Sequence, residues 1–512
     1  MLAAGILTPV DASAATRCET LAKAFTGGDS VATAREMDGA CRLQAVTRPR
    51  PDSEIGISVW LPADRWNGRL LVLGNGGYSS ALPEPAMNAY LKRGYVVAAT
   101  DTGHKGDDPD FAAQRPTSID DWARRSVHET AVRAKRVSSA FYGRPVSFAY
   151  FQGCSTGGHQ AFMEAQRYPG DFDGIVAGAP GFNRTRLNAG FLWQFLQNHE
   201  ADDPSRPIIP ASKLALITKA ALTQCGKANG GEGGGLPQDP YLNAPQACAF
   251  DPSPLRCVGE ETDSCLTDKQ LDRLRRMSAG ARNADTGERI YFGWPPGSES
   301  PAGAYGGWSL YWANPVKPRE PARASFWRIW AGLGDGWQPS LVNFAKDTDR
   351  ADSRLASRIN AMSVKLDAFR RRGGKMIHWH GGADPVVPVQ DSIVYHDRLT
   401  SREARAGRDA SVFYRFFMAP GVEHCQGGRG PAPLDIQASI EAWVERGQPP
   451  ATLLATLAQG GSTGHGFARP LCPYPLVARF DGRNAPDAAS SFACAPPAGS
   501  TKVVPPARKY LR

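Results

Sequence analysis

Short β-branched or apolar runs bounded by turn residues recur through the first 180 positions: Ile55 to Leu61, Leu70 to Leu73, Tyr95 to Ala99, Val146 to Phe151 and Ile175 to Ala177. Between several of them lie segments of helical spacing. Asp120 to Phe141 carries Trp122, Val127, Ala131 and Val132 and ends at Gly143, which predicts a helix stopped by a glycine. Strands alternating with helices imply a mostly parallel sheet covered on both faces, an α/β fold. Two further strand candidates, Met376 to His380 and Val412 to Met418, complete that sheet only beyond position 375.

The segment between has another character. Residues 183–362 hold four cysteines, a glycine-rich stretch from Asn229 to Gly235, and Trp308, Trp312, Trp327, Trp330 and Trp337. A connection this long must carry its own structure. The pattern predicts an inserted lid domain at 183–362, with the core built from 15–182 and 363–512.

Composition narrows the function classes. With 512 residues, 42% hydrophobic and 21% charged, the chain is neither disordered nor fibrous. No apolar stretch approaches the ~18 residues of a spanning helix, so no membrane partner is expected. The net charge of +9 is spread as pairs such as Arg124-Arg125, Arg275-Arg276 and Arg371-Arg372. Nucleic acid needs a clustered basic face, so none is expected as a partner. The ten cysteines lack the paired CxxC units of a zinc site and read as disulfides. Leu2 to Val10 is mostly apolar and Ala12-Ser13-Ala14 has the form of a signal-peptidase site, so residues 1–14 read as a remnant signal peptide. Both features predict a secreted or periplasmic protein.

The chemistry begins where the strand Val146 to Phe151 runs into Gly153-Cys154-Ser155-Thr156-Gly157, a G-x-S-x-G sequence followed by a helix. In that setting the serine occupies a strained strand-to-helix turn that lifts Oγ clear of the sheet, and the glycines avoid collisions there. A serine hydroxyl needs a base to take its proton, and the base needs an acid to hold its tautomer. Asp384 lies just beyond the strand Met376 to His380, and His424 just beyond Val412 to Met418. The order Ser155, Asp384, His424, each on the loop after a strand, is that of an α/β-hydrolase. His104, His159 and His378 are competing bases. The oxyanion hole combines the N–H of Thr156 with one from Gly74-Asn75-Gly76-Gly77, the loop after the strand Leu70 to Leu73.

These residues resemble the tannase and feruloyl esterase family, which also contains hydrolases of mono(2-hydroxyethyl) terephthalate. The most specific mark is Cys154-Ser155 with Asp384 and His424-Cys425. Further matching stretches are Trp66-Asn67-Gly68-Arg69, Gly174-Ile175-Val176-Ala177-Gly178-Ala179-Pro180, Cys248 to Cys257 and Arg469-Pro470-Leu471-Cys472-Pro473-Tyr474-Pro475. The resemblance implies an α/β-hydrolase fold with a large inserted lid. It also implies the pairs Cys18–Cys41, Cys154–Cys425, Cys225–Cys248, Cys257–Cys265 and Cys472–Cys494, and Gly77 as the oxyanion donor of the glycine loop. Trp308, Tyr311 and Trp312 fall where the family places substrate-binding aromatics.

Two departures stand out. The family's lid holds Ca²⁺ with an aspartate-rich loop, whereas here that loop reads Gly226, Asn229, Gly231, Gly233 and Gly235, leaving Glu232 as its acid. Calcium needs six to eight oxygens, several of them charged. No metal and no cofactor is therefore expected. Lys317, Arg319, Arg323 and Arg328 all lie near the position of the arginine that binds a free terephthalate carboxylate, and none aligns with it uniquely. The sequence thus predicts a serine esterase acting on small aromatic, phenolic-acid esters through an acyl-enzyme. Thr156 in place of an acidic residue favours the feruloyl type over tannase or terephthalate-monoester activity. The alternative of another class is a non-catalytic aromatic-ligand-binding protein of hydrolase fold, which an intact triad argues against.

Overall fold

The computed structural model describes residues 14–25, 31–200, 203, 205–226, 235–300, 306–309, 311–313, 323–458, 466–498 and 502–511. The leader assigned to residues 1–14 lies almost wholly outside them. A nine-stranded sheet organises the chain: β1 (Val31–Met37), β2 (Ala40–Thr47), β3 (Ile55–Pro62), β4 (Arg69–Leu73), β5 (Val96–Thr100), β6 (Phe148–Cys154), β7 (Gly174–Gly178), β8 (Lys375–Gly381) and β9 (Tyr414–Ala419). Their spatial order is β1-β2-β3-β5-β4-β6-β7-β8-β9. The strands from β5 to β9 run parallel, while β1, β2 and β3 are antiparallel to their neighbours.

Period-two alternation explains why the central runs look apolar throughout. On β4, Leu70 and Val72 join one buried cluster while Leu71 and Leu73 join another; on β5, Val96 and Ala98 take one face and Val97 and Ala99 the other. The helices Ser126–Tyr142, Thr156–Arg167 and Val389–Arg405 cover the first face, and Glu84–Lys92 and Ile436–Arg446 the second. From β4 the chain steps back to β5 and then crosses to β6, so the winding reverses between β4 and β6. In open α/β sheets ligands bind outside the carboxyl ends of the strands at such a reversal. The residues standing there are the glycine loop after β4 and Ser155 after β6.

The stretch between β7 and β8 contributes the helices Arg184–Asn198, Leu214–Cys225, Asp268–Ala279 and Lys346–Ile359. Thr267 caps the third of these through a reciprocal pair with Gln270. The aromatic side chains of this insert are continuous with the first face of the sheet: Trp308, Trp312, Trp327 and Trp330 belong to the same cluster as Trp122, and the Trp122 and Trp330 rings meet edge to face at 5.3 Å.

Three local differences separate the structure from the sequence reading. The strands β1 and β2 carry Arg35, Glu36, Arg42 and Gln44 and lie at the sheet edge, so their pattern is too polar to stand out. The helix foreseen over Asp120 to Phe141 is split by one π-helical turn, Asp121–Arg125, before Ser126–Tyr142 ends at Gly143 with φ of 68°. Val412 closes a short 3-10 turn, Ala410–Val412, and β9 starts only at Tyr414. All five disulfides implied by the resemblance are formed, two of them within the insert. No helix among the described residues is long and apolar enough to cross a membrane.

Candidate active site

Ser155 sits at φ 62° and ψ −117°, a region that costs a non-glycine residue about 1–3 kcal/mol. Its surroundings hold it there. The Ser155 N–H donates to the Gly178 carbonyl at 3.0 Å, and its own carbonyl accepts from His159 N–H at 3.0 Å and Gly181 N–H at 3.3 Å. The turn admits no bulk: a Cβ on Gly153 would lie 2.6 Å from the Gly157 Cα, and one on Gly74 would lie 2.7 Å from the same atom. Glycine at 74, 153 and 157 thus lets the loop after β4 and the helix after β6 approach backbone to backbone.

Asp384 and His424 meet as the sequence order suggested. His424 Nδ1 lies 2.7 Å from Asp384 Oδ2, and both residues are buried. The other carboxylate oxygen accepts the N–H groups of Val386 at 2.7 Å and Val387 at 2.8 Å. The loop itself therefore fixes the rotamer of Asp384. Burial alone would raise the Asp384 pKa, but the adjacent His424 and the hydrogen bond from His380 outweigh it and hold the group well below the usual carboxylate range. It is an anion throughout the physiological range, and it accepts the Nδ1 proton of His424.

A chain that sequence reasoning did not foresee supports Asp384 from behind. His380 Nε2 lies 3.2 Å from Asp384 Oδ2 and 2.9 Å from the Val387 carbonyl, both pure acceptors, so that nitrogen carries the proton. His380 Nδ1 must then accept from Ser392 Oγ at 2.7 Å; Ser392 accepts from His378 Nε2 at 2.9 Å, and His378 Nδ1 accepts from the Tyr414 hydroxyl at 2.8 Å. Burial lowers the His378 pKa strongly, which keeps this link neutral. Its only sequence signal was the alternation His378, His380 on one strand.

The competing bases are engaged elsewhere. His159 Nε2 pairs with the Ile359 carbonyl at 2.7 Å, and burial followed by the charge of Arg184 brings its pKa down to about 3. His104 bridges the Tyr78 carbonyl and Thr102. His378 is spent in the chain above. The disulfide Cys154–Cys425, with a Cα separation of 5.9 Å, brings the residue before Ser155 against the residue after His424.

At the proposed oxyanion positions, Gly77 has φ of 51° and Thr156 is fully buried with its hydroxyl 2.9 Å from the Gly77 carbonyl. The glycine loop is tied to the helix of Ser155 through Asn75 N–H on Gln160 Oε1 at 3.1 Å. The insert reaches the same region: Trp312 Nε1 donates to the carbonyl of Pro385, next to Asp384, at 3.2 Å. Trp308 and Trp312 are fully buried, Trp308 with its indole N–H on Ser298; Tyr311 is partly exposed. Phe191 stacks on Trp312 and Tyr311. Arg323 lies 5.2 Å from the Phe191 ring, 5.8 Å from Tyr311 and 5.9 Å from Tyr78; of the two candidates among the described residues, Arg323 and Arg328, it is the one set against these rings. Lys317 and Arg319 lie outside the described residues, as do Asn229, Gly231, Glu232 and Gly233 of the loop expected to lack calcium.

This geometry can be set beside known proteins. The family described as tannase and feruloyl esterase matches residues 41–495. The chain is 34% identical to an uncharacterized esterase of Xanthomonas campestris, covering 96% of this chain and 90% of that protein. It is 32% identical to the mono(2-hydroxyethyl) terephthalate hydrolase of Piscinibacter sakaiensis, with 87% and 82% covered. It is 30% identical to a probable feruloyl esterase of Arthroderma benhamiae, with 88% and 84% covered. In fold it matches the crystal structure of feruloyl esterase B from Aspergillus oryzae with a TM-score of 0.82 at 22% identity, over 94% of this chain and all of that one. The protein described by this sheet, insert and disulfide framework belongs to the tannase and feruloyl esterase family of carboxylic ester hydrolases.

Proposed function

We propose that the protein is a secreted serine esterase that hydrolyses esters of phenolic acids, with Ser155, His424 and Asp384 as its catalytic residues. Ser155 Oγ attacks the ester carbonyl carbon while His424 Nε2 takes its proton. The electron pair displaced from the carbonyl is held on oxygen by the N–H groups of Thr156 and Gly77. Collapse of this intermediate breaks the bond to the alcohol, which leaves with the proton from His424, and an acyl-Ser155 ester remains. Water, deprotonated by His424, then attacks that ester and releases the acid. Asp384 stabilises the imidazolium formed in both halves. Each oxyanion donor is worth about 3 kcal/mol of transition-state stabilisation.

The observation that carries this reading is a strained Ser155 joined through Cys154–Cys425 to a His424 that is held by a buried, ionised Asp384. Tyr311, partly exposed and stacked beside the buried Phe191, offers a flat face for an aryl acyl ring. Five disulfides fit an oxidising compartment. A second reading, hydrolysis of a terephthalate monoester, is favoured by Arg323, a cation beside those rings that suits a free carboxylate. Parallel kcat/KM measurements on methyl ferulate, chlorogenate, methyl gallate and mono(2-hydroxyethyl) terephthalate test both readings. Preference for the ferulate esters supports the first, preference for the terephthalate monoester the second, and failure to cleave any of the four refutes both.

A further inference from the structure

Arg184, the first residue of the helix Arg184–Asn198, is buried to 5% exposure directly behind the proposed oxyanion positions. Its Nη2 lies 2.8 Å from Thr156 Oγ1, and Thr156 Oγ1 lies 2.9 Å from the Gly77 carbonyl. The chemistry of the groups fixes every direction. A guanidinium only donates, so the Thr156 oxygen accepts from Arg184, and its single proton is left for the Gly77 carbonyl. Trp122 Nε1, also a pure donor, meets the same carbonyl at 3.2 Å. Among the described residues no carboxylate forms an ion pair with Arg184; its charge instead rests 5.0 Å from the Trp122 ring centroid. Its Nε has no hydrogen-bond partner.

Burying a guanidinium without an anionic partner is costly, and the packing around Trp122 alone could be served by an apolar side chain. We infer that Arg184 is a positioning residue for the oxyanion hole, which locks the Thr156 hydroxyl onto the Gly77 carbonyl and places a fixed positive charge behind the site where the negative charge develops. Gly77, with positive φ and no Cβ, has no side chain of its own to hold its peptide planes, so the hold has to come from outside. Thr156 contributes its N–H to the oxyanion and its hydroxyl to the neighbouring donor's backbone, and Arg184 decides which way that hydroxyl points. Burial, offset in part by Tyr78 but reinforced by Arg323, brings the Arg184 pKa down to about 10, so it remains charged at neutral pH. Preorganised charge of this kind acts on the transition state more than on the bound ester.

The inference rests on Ser155 being the nucleophile, and its test keeps the two apart. Arg184→Gln and Thr156→Val, the second of which retains the N–H at position 156, are compared with Ser155→Ala on one chromogenic aryl ester. Inhibition by an arylboronic acid, which becomes tetrahedral on serine, and by ferulate, which does not, is measured alongside. Arg184→Gln and Thr156→Val are each expected to lower kcat about ten- to hundredfold with KM within about twofold, and to weaken the boronate in proportion while leaving ferulate unchanged. The double variant should be no worse than the weaker single one, because both break one relay. A kcat within twofold of wild type in Thr156→Val overturns the inference, even if Arg184→Gln fails to fold. So does an equal weakening of boronate and ferulate, or additive losses in the double variant. Full activity in Ser155→Ala would instead refute the underlying assignment of the nucleophile.

Discussion

Cys154 and Cys425 are 271 positions apart in sequence and bonded to each other, with their Cα atoms 5.9 Å apart. Cys154 ends β6 and precedes Ser155; Cys425 follows His424 and itself adopts a positive φ of 64°. Two tight turns, one at the end of a central strand and one beyond the edge strand β9, are therefore fixed to each other by a covalent bond rather than by packing alone.

Removing that bond should damage activity and stability separately. In the chain-entropy model a closure of this length is worth about 5 kcal/mol. At the usual unfolding entropy per residue, that shifts the melting temperature of a chain this long by roughly 5 °C. Displacing reacting groups by about 1 Å can cost 10²-fold in rate. Cys154→Ala/Cys425→Ala is expected to melt several degrees lower and, at a temperature where it is fully folded, to lose at least tenfold in kcat. Calorimetry and steady-state kinetics on the same preparation check both; an unchanged kcat would show that the bridge serves stability only.

The sequence revealed the parallel core and the candidates Ser155, Asp384 and His424 for the same reason: both depend on local pattern. Runs such as Val96 to Thr100 are buried on both faces and so stay apolar throughout, and G-x-S-x-G needs its glycines because a Cβ at 153 would strike Gly157. What escaped depends on contacts between distant segments. Arg184 looks like an ordinary first residue of a helix until the fold sets it against Thr156, and His380 looks like strand until Asp384 turns back onto it. Of the three aromatics that the resemblance assigned to substrate, Trp308 and Trp312 are buried and Tyr311 is partly exposed, and the sequence did not show that Phe191 and Arg323 would gather around Tyr311.

Asp391 gives the protein a pH dependence with a definite sign. It lies in the first turn of the helix Val389–Arg405, fully buried, and accepts from the Tyr291 hydroxyl of the insert at 3.1 Å. Burial raises its pKa to about 7, with Tyr291 and Arg398 only partly offsetting this. Because an unfolded aspartate titrates near 3.9, between about pH 4 and 7 the folded state holds a proton that the unfolded state has lost. The contribution of Asp391 is then full at low pH and declines by about 1.4 kcal/mol per pH unit until about pH 7, above which it is flat. Asp391→Asn cannot titrate. Its melting temperature relative to wild type is expected to rise by roughly 2–3 °C between pH 5 and pH 8. A difference that does not move with pH, measured by scanning calorimetry, would show that Asp391 is ionised in the folded protein at both.

Calcium should make no difference. Between Cys225 and Cys248, Gly226 and Gly233 supply no side-chain oxygen, Asn229 supplies one neutral oxygen, Asp239 is engaged by Leu236 N–H, Asn243 and Arg469, and Glu232 can provide at most two of the six to eight oxygens that the ion takes. A tightly bound ion would stabilise the fold by mass action. Melting temperatures in EDTA and in millimolar Ca²⁺ are expected to coincide; a drop of several degrees on chelation, or one equivalent of calcium by elemental analysis, would show a site built from other residues.

The central claim is that Ser155 carries the acyl group. The most direct measurement is the mass of the protein after rapid acid quenching during turnover of a slowly deacylating aryl ester, with peptide mapping of the adduct. The account predicts one acyl group per chain on the peptide containing Ser155, and no adduct and a loss of about 10⁶ in turnover for Ser155→Ala. An acyl group mapped to another residue, or a Ser155→Ala variant within tenfold of wild-type activity, would contradict it.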